Sequence, residues 1–395
     1  MNRLTRAFRP GSPYRIYLAS IIAVGLGYGL YKGVLDNYLA EIVSMTEFDR
    51  GVLEFFRELP GLMLVFLLAA MYTLSAESVY KVGAVVMLAG MSAIAAVPPS
   101  RVLVTIGICV YSLGEHIQLG MKNTLSLEYA REGMGGSALG ATSSIYDIGM
   151  LAGYLVVLAV TARLADSVPF KGFFTAAACM MAVGAAAAFR LKGSSGRDRA
   201  KSRFYFRKKY TKYYFLEVFY GARKQVFFTF GPYVLILFYG ASTWVISLLF
   251  AVTSVCGFIC APLVGRIIDR VGYKIVMVSD TLILVVVCFF YGFAHHFFPM
   301  HVAFIICCVN YVLDSIISLA SMASNVYVQD ISDSLEETRA TISTGISVNH
   351  MITILIALFG GWIWQALGIE TLFTLSAVLG LCNSAYAASI RTSNS

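Results

Sequence analysis

Long stretches of apolar residues, broken only by short clusters of charge, proline or glycine, dominate the chain from end to end. They fall at 16–41, 50–75, 79–97, 102–129, 138–163, 170–190, 213–239, 242–266, 273–294, 301–328, 339–365 and 369–390. A helix crosses the hydrocarbon core of a bilayer with about 20 residues, so each run is long enough to span. The pattern predicts an all-α integral membrane protein with twelve transmembrane helices. Roughly 240 residues go into those helices, and what remains makes loops and tails, with no room for a sizeable soluble domain.

Composition agrees with that reading and excludes a soluble protein. Of 395 residues, 58% are hydrophobic and 13% charged, with a mean hydropathy of +0.75. Soluble domains are closer to half apolar and a quarter charged. The net charge of +8 would suggest nucleic acid in a soluble chain, but here the basic residues sit in loops, and no nucleic-acid partner is expected. When the loops are assigned to alternate sides, one side holds 21 Lys and Arg and the other only Arg50, Arg101, Arg163 and Lys171. Positive charge is retained on the cytoplasmic side. Both termini are therefore expected in the cytoplasm, with the chain a multi-pass protein of the plasma membrane, here a bacterial inner membrane. The basic start runs into the first apolar stretch without a small-residue cleavage site, so that stretch is expected to stay as an anchor.

All eight cysteines lie inside apolar runs, where a thiol behaves as a small hydrophobe. Cys256 and Cys260 are four apart but lack a second Cys/His pair, so no metal site, disulfide or cofactor is expected. The longest loop, within residues 191–212, is rich in Gly and Ser at first and then basic and aromatic. It divides the chain into a half at 1–190 and a half at 213–395, and its basic part suits anionic lipid headgroups. Two faint internal echoes accompany the division. Tyr31-Lys32-Gly33-Val34 is matched by Arg223-Lys224-Gln225-Val226, and the ionisable pair Glu115 and Asp147 recurs as Asp314 and His350. Inverted or parallel repeats of this kind place a site between halves near the bilayer midplane.

After the eighth run comes Gly265-Arg-Ile-Ile-Asp269-Arg270-Val-Gly272-Tyr-Lys274. This resembles the loop motif of the major facilitator superfamily, G-x-x-x-D-R-x-G-x-K, and the six-plus-six layout resembles that family over the whole chain. The resemblance implies two six-helix pseudo-repeat halves that rock about a central site. It also implies that Gly265, Asp269, Arg270, Gly272 and Lys274 form a cytoplasmic gate, with Asp269 held against the positive end of a neighbouring helix. The equivalent turn after the second run, Ser75-Ala-Glu77-Ser-Val-Tyr-Lys81, lacks the glycines and the Asp-Arg pair. The fourth run has Glu115 where proton-driven drug exporters of the family carry arginine, and Gly149 to Gly153 contains no proline.

Ionisable side chains within a membrane cost about 2.5–3.5 kcal/mol each on insertion scales, so they face partners or a wet cavity and are functional candidates. Lys32 and Asp36 stand one turn apart in the first run and can pair. In the second run Arg57 lies between Glu54 and Glu58, either facing a ligand or paired with its own acids. Asp36, Glu54 and Glu58 are candidates for an outer gate. Glu115, Gln118 and Lys122 share i, i+3, i+7 spacing in the fourth run, next to His116 and Asn123. Asp147 in the fifth run follows a small, hydroxyl-bearing stretch and is either a proton site or a partner of Lys122. Arg223, Lys224 and Gln225 precede the Gly231-Pro232 break in the seventh run. His116 and His350 are each either hydrogen-bonded packing residues or proton carriers.

These residues point to a secondary active transporter of a small polar organic solute, anionic or zwitterionic, coupled to protons or, with oxygen ligands supplied by Asn, Ser and Asp, to Na⁺. The expected solute-binding set is Lys32, Arg57, Lys122, Asn123, Arg223, Lys224 and Gln225. Glu115, Asp147, Asp314 and His350 form the expected proton-coupling set. An exporter of amphiphilic drugs and a non-transporting membrane sensor are the competing readings. Catalytic Ser/His/Asp spacing and Gly-rich phosphate loops do not occur, so no enzyme is expected. The chain is expected to act as a monomer in the lipid bilayer.

Overall fold

The computed structural model describes residues 5–71, 73–164, 167–192 and 206–390, and among these there is no named strand. The helices are α1 (Tyr14–Asn37), α2 (Glu47–Leu62), α3 (Leu64–Ala70), α4 (Ala76–Ala96), α5 (Arg101–Glu128), α6 (Gly135–Thr161) and α7 (Phe170–Phe189). They continue with α8 (Thr211–Leu237), α9 (Thr243–Val271), α10 (Tyr273–Phe297), α11 (Met300–Ile317), α12 (Met322–Ile331) and α13 (Leu335–Ala388). Among the described residues, nine helical stretches are long and apolar enough to cross a membrane. The chain is a multi-pass membrane protein.

Several helices differ in extent from their apolar runs. The second run is two helices, α2 and α3, meeting at Met63; Pro60, just before the join, has no N–H for the helical ladder. Conversely, α8 continues through Pro232 without ending. Gly272 and Gly368 make the sharpest joints. With φ of 85° and 88° they occupy the left-handed region that glycine tolerates. Gly272 alone separates α9 from α10, and Gly368 divides α13 into segments 335–367 and 369–388. The expected linker lies mostly outside the described residues.

The described chain packs into two compact units, each assembled from separate stretches. Unit 1 takes Met1–Ser44, Leu59–Ala200 and Ser242–Ala251; unit 2 takes Met45–Glu58, Lys201–Ala241 and Val252–Ser395. The boundary thus falls inside α2 and inside α9, a detail that apolar runs do not encode.

Within unit 1, α1 crosses α6 through Gly25, Gly29, Gly149 and Gly153. A Cβ added to any of them would lie 2.1–2.6 Å from a backbone oxygen of the facing helix. Small residues at i and i+4 let two backbones approach this closely, the packing that membrane helices use in place of a hydrophobic drive. Each unit also ties its last long helix down in the same manner. In unit 1 the Lys81 ammonium donates to the Leu191 carbonyl after α7, at 2.8 Å. In unit 2 Lys274 donates to the Ile390 carbonyl after α13, also at 2.8 Å. These orphan helix-end carbonyls receive a cation where the helix dipole is negative.

Candidate functional site

Unit 2 holds a buried charge network on α2, α8 and α13. Arg50 donates to Glu54 at 2.7 Å, and Arg57 reaches the other Glu54 oxygen through Nε at 2.9 Å. Arg57 also pairs with Glu58, whose second oxygen meets His350 Nδ1 at 2.9 Å. Gln225 Nε2 lies 3.4 Å from Glu54 and donates to Thr229 at 2.8 Å. The guanidinium of Arg57 rests 5.5 Å from the Phe228 ring centre, and that of Arg50 5.9 Å from Tyr233. Glu54 is fully buried and Arg50 nearly so. Arg50 was expected in an external loop; the structure instead places it within α2, because its partner Glu54 lies one turn on. Gly51 makes the tight approach possible: a Cβ there would lie 2.4 Å from the Ala357 carbonyl of α13.

A second pair in unit 2 fixes Arg223. Its Nη1 donates to Asp280 of α10 at 2.7 Å, its Nη2 is 3.5 Å from the Ile317 carbonyl, and its Cζ lies 5.0 Å from the Tyr220 ring centre. Asp314 on α11 is buried and acts electrostatically on Arg223, and its carboxyl makes no hydrogen bond among the described residues. Glu217 on α8 accepts from Ser324 at 2.9 Å and from the Asn349 side chain at 3.4 Å. Lys224, one position past Arg223, is exposed and makes no ion pair among the described residues. Adjacent helical positions are a large rotation apart, so one of the two basic residues is buried and the other is not.

In unit 1, Lys32 donates to Asp36 at 2.8 Å, with both side chains nearly inaccessible, and lies 5.3 Å from the Phe250 ring centre. Ser247 donates to the Gly33 carbonyl at 2.9 Å beside this pair. Farther along, Lys122 of α5 sits over the Tyr146 ring at 5.0 Å. It interacts electrostatically with Asp147 and Glu115 but makes no direct ion pair among the described residues. The expected polar stripe is divided. Gln118 is buried against α4, its Cγ 3.1 Å from where a Gly83 Cβ would stand, while Glu115 and Lys122 are only partly covered and Asn123 is exposed. His116 is buried, with Nδ1 2.8 Å from the Ser112 carbonyl of the preceding turn.

The Gly265–Lys274 motif is mostly helical. Because α9 extends to Val271, Gly265 lies within that helix with open space around it and does not end one. Gly272 makes the actual joint. Asp269 and Arg270 are exposed, and their side chains form no hydrogen bond or ion pair among the described residues. Elsewhere in unit 2, Lys209 donates to Asp333 at 2.9 Å, and this bond holds the Lys209 pKa above its usual value.

Asp280, Glu217 and Arg50 escaped the reading from sequence. For Asp280 the available signal was a lone acid in an otherwise apolar run, Tyr273 to Phe297, whose cost requires a partner.

No known family model matches the chain, nor does any curated protein sequence. Solved structures do. Over nearly its whole length the chain has the major facilitator fold. A mutant form of the nucleoside transporter NupG is similar over 96% of this chain and 100% of its own, at 15% identity and a TM-score of 0.76. An auto-inhibited peptide transporter of the POT family covers 96% and 97% at 10% identity, also with a TM-score of 0.76. A POT peptide transporter in complex with alafosfalin covers 94% and 93% at 13% identity, with a TM-score of 0.72. These neighbours are transporters rather than enzymes.

Proposed function

We propose that this chain is a secondary active transporter that moves a small anionic or zwitterionic organic solute by alternating access, coupled to protons. The observation that carries the reading is the contrast among its intramembrane cations. Lys32, Arg57 and Arg223 are each committed to a carboxylate. Lys122 is not, although it is partly buried beside an aromatic ring and within electrostatic reach of two carboxylates. A cation held at a membrane helix without a direct ion pair is costly, and an anionic group on the solute would offset that cost. Asp147 and Glu115 nearby suit the amine of a zwitterion. Tyr146 supplies a flat face for the rest of it.

Lys224, with Asn349 and Glu217 within the same unit, is the candidate binding set of unit 2. Asp314 and the Glu58–His350 pair are its proton-coupling candidates, beside Glu115 and Asp147 in unit 1. Asp269 and Arg270 act as gate residues at the cytoplasmic side, where both termini lie. The protein works as a monomer in a plasma membrane. The fold shared with nucleoside and peptide transporters supports a small organic solute.

The test is purified protein in liposomes containing a pH-sensitive dye, challenged with nucleosides, short peptides, amino acids and organic acids. One charged class should move protons with the wild type and not with Lys122→Ala. Accumulation of a solute under a Na⁺ gradient alone, or movement of uncharged amphiphiles only, would overturn the coupling or the solute assignment respectively.

A further inference from the structure

At one end of unit 2, three metal-binding side chains converge that play no part in the sites described above. The last turn of α10 carries His295 and His296, and Glu370 is the second residue after the Gly368 joint in α13. Both imidazoles address the same carboxylate oxygen: His295 Nε2 is 3.2 Å and His296 Nε2 3.0 Å from Glu370 Oε1. The backbone is shaped for this convergence. A Cβ at Gly368 would stand 2.6 Å from Glu370 Oε2, so glycine leaves the space into which the carboxylate folds back. At Gly292 α10 runs in ordinary contact with Glu370, whose Cα would be 3.5 Å from a Cβ there. His295 packs 4.8 Å from the Phe238 ring centre, and its buried Nδ1 has no hydrogen-bond partner among the described residues. Its polar contact is therefore on the Nε2 side, toward the cluster.

The geometry points to a divalent transition-metal site, of the Zn²⁺ type, formed by His295, His296 and Glu370. The three donor atoms lie within 4.8 Å of one another. A tetrahedral Zn²⁺ holds nitrogen and oxygen ligands at about 2.0–2.2 Å, which sets neighbouring donors roughly 3.3 Å apart. The two separations from Glu370 Oε1, 3.2 and 3.0 Å, lie within a few tenths of an ångström of that spacing. Two imidazoles and one carboxylate leave the fourth position for water or a solute group. Imidazole donors favour Zn²⁺ and its neighbours over Mg²⁺ or Ca²⁺, which prefer all-oxygen sets. His296 is about half exposed and Glu370 about one-third, so an ion can reach the cluster. A bound ion would clip the end of α10 to the second segment of α13.

The test uses the full-length protein in detergent, freed of metal and titrated with Zn²⁺ by calorimetry, with Co²⁺ as a visible-absorption probe of tetrahedral coordination. One equivalent of Zn²⁺ should bind, and the melting temperature should rise with Zn²⁺ concentration. His296→Ala and Glu370→Gln should each weaken binding at least about 10-fold, on the scale of lost metal-site groups, while melting like the wild type without metal. His296→Cys should restore binding through its thiolate, and His301→Ala should bind as the wild type does. Failure of the wild type to bind micromolar Zn²⁺ would overturn the assignment. So would undiminished binding by the double variant His296→Ala/Glu370→Gln, or equal loss in His301→Ala.

Discussion

Replacing Asp280 with leucine removes one side of a buried ion pair in unit 2. Arg223 and Asp280 are 2.7 Å apart, with side-chain exposures of 1% and 4%. At that separation and an effective dielectric of about 20, their attraction is about 6 kcal/mol. Desolvation costs several kcal/mol for each ion, so the pair as a whole contributes little net stability. Breaking it is another matter, because the surviving charge keeps its desolvation cost and loses the attraction; losses of about 3–5 kcal/mol are usual. The two single variants should differ. A stranded carboxyl can take up a proton, whereas a guanidinium stays charged. Asp280→Leu should therefore destabilise by about 3–5 kcal/mol, Arg223→Leu by less, and the double variant least of all. Melting in detergent, followed by loss of the monodisperse chromatographic peak, gives the ranking, and a double-mutant cycle gives the coupling. The cycle also separates structure from transport, since a double variant that is stable and still transports places Arg223 outside the solute site. Equal, additive losses in the two single variants would refute the argument.

Gly153→Leu forces side-chain atoms into the backbone of α1 and should abolish monodisperse protein, whereas Gly265→Ala, in open space within α9, should be neutral or stabilising by up to about 1 kcal/mol. Lys122→Ala should weaken solute binding by about 10- to 150-fold, the equivalent of one charge-assisted hydrogen bond at about 1.5–3 kcal/mol, measured by solute titration of purified protein. Asp269→Asn should slow turnover far more than it weakens binding, because an exposed residue at the end of α9 contacts no solute; equal losses would count against a gating role. On a cysteine-free background, Ser195→Cys should react only with reagents that reach the cytoplasm, and labelling from outside intact cells would invert the proposed orientation.

The apolar periodicity alone carried the helical membrane architecture. A bilayer core leaves the backbone few ways to satisfy its hydrogen bonds, so helical spans follow from composition. The pair Lys32–Asp36 was readable as a possibility, since i, i+4 neighbours share a helix face, whereas the same spacing left Arg57 open between a ligand and its own acids. Partnerships between distant elements were not. Arg223 meets Asp280 and Glu58 meets His350 only because particular helices pack side by side. The same holds for His295, His296 and Glu370, which looked unremarkable along the chain and in which no metal site was foreseen. Gly368 leaves room for the Glu370 carboxylate, but nothing local to that glycine names the partners. Local spacing determined which residues could share a face; tertiary packing decided which charges were already neutralised across elements, as Arg223 is by Asp280.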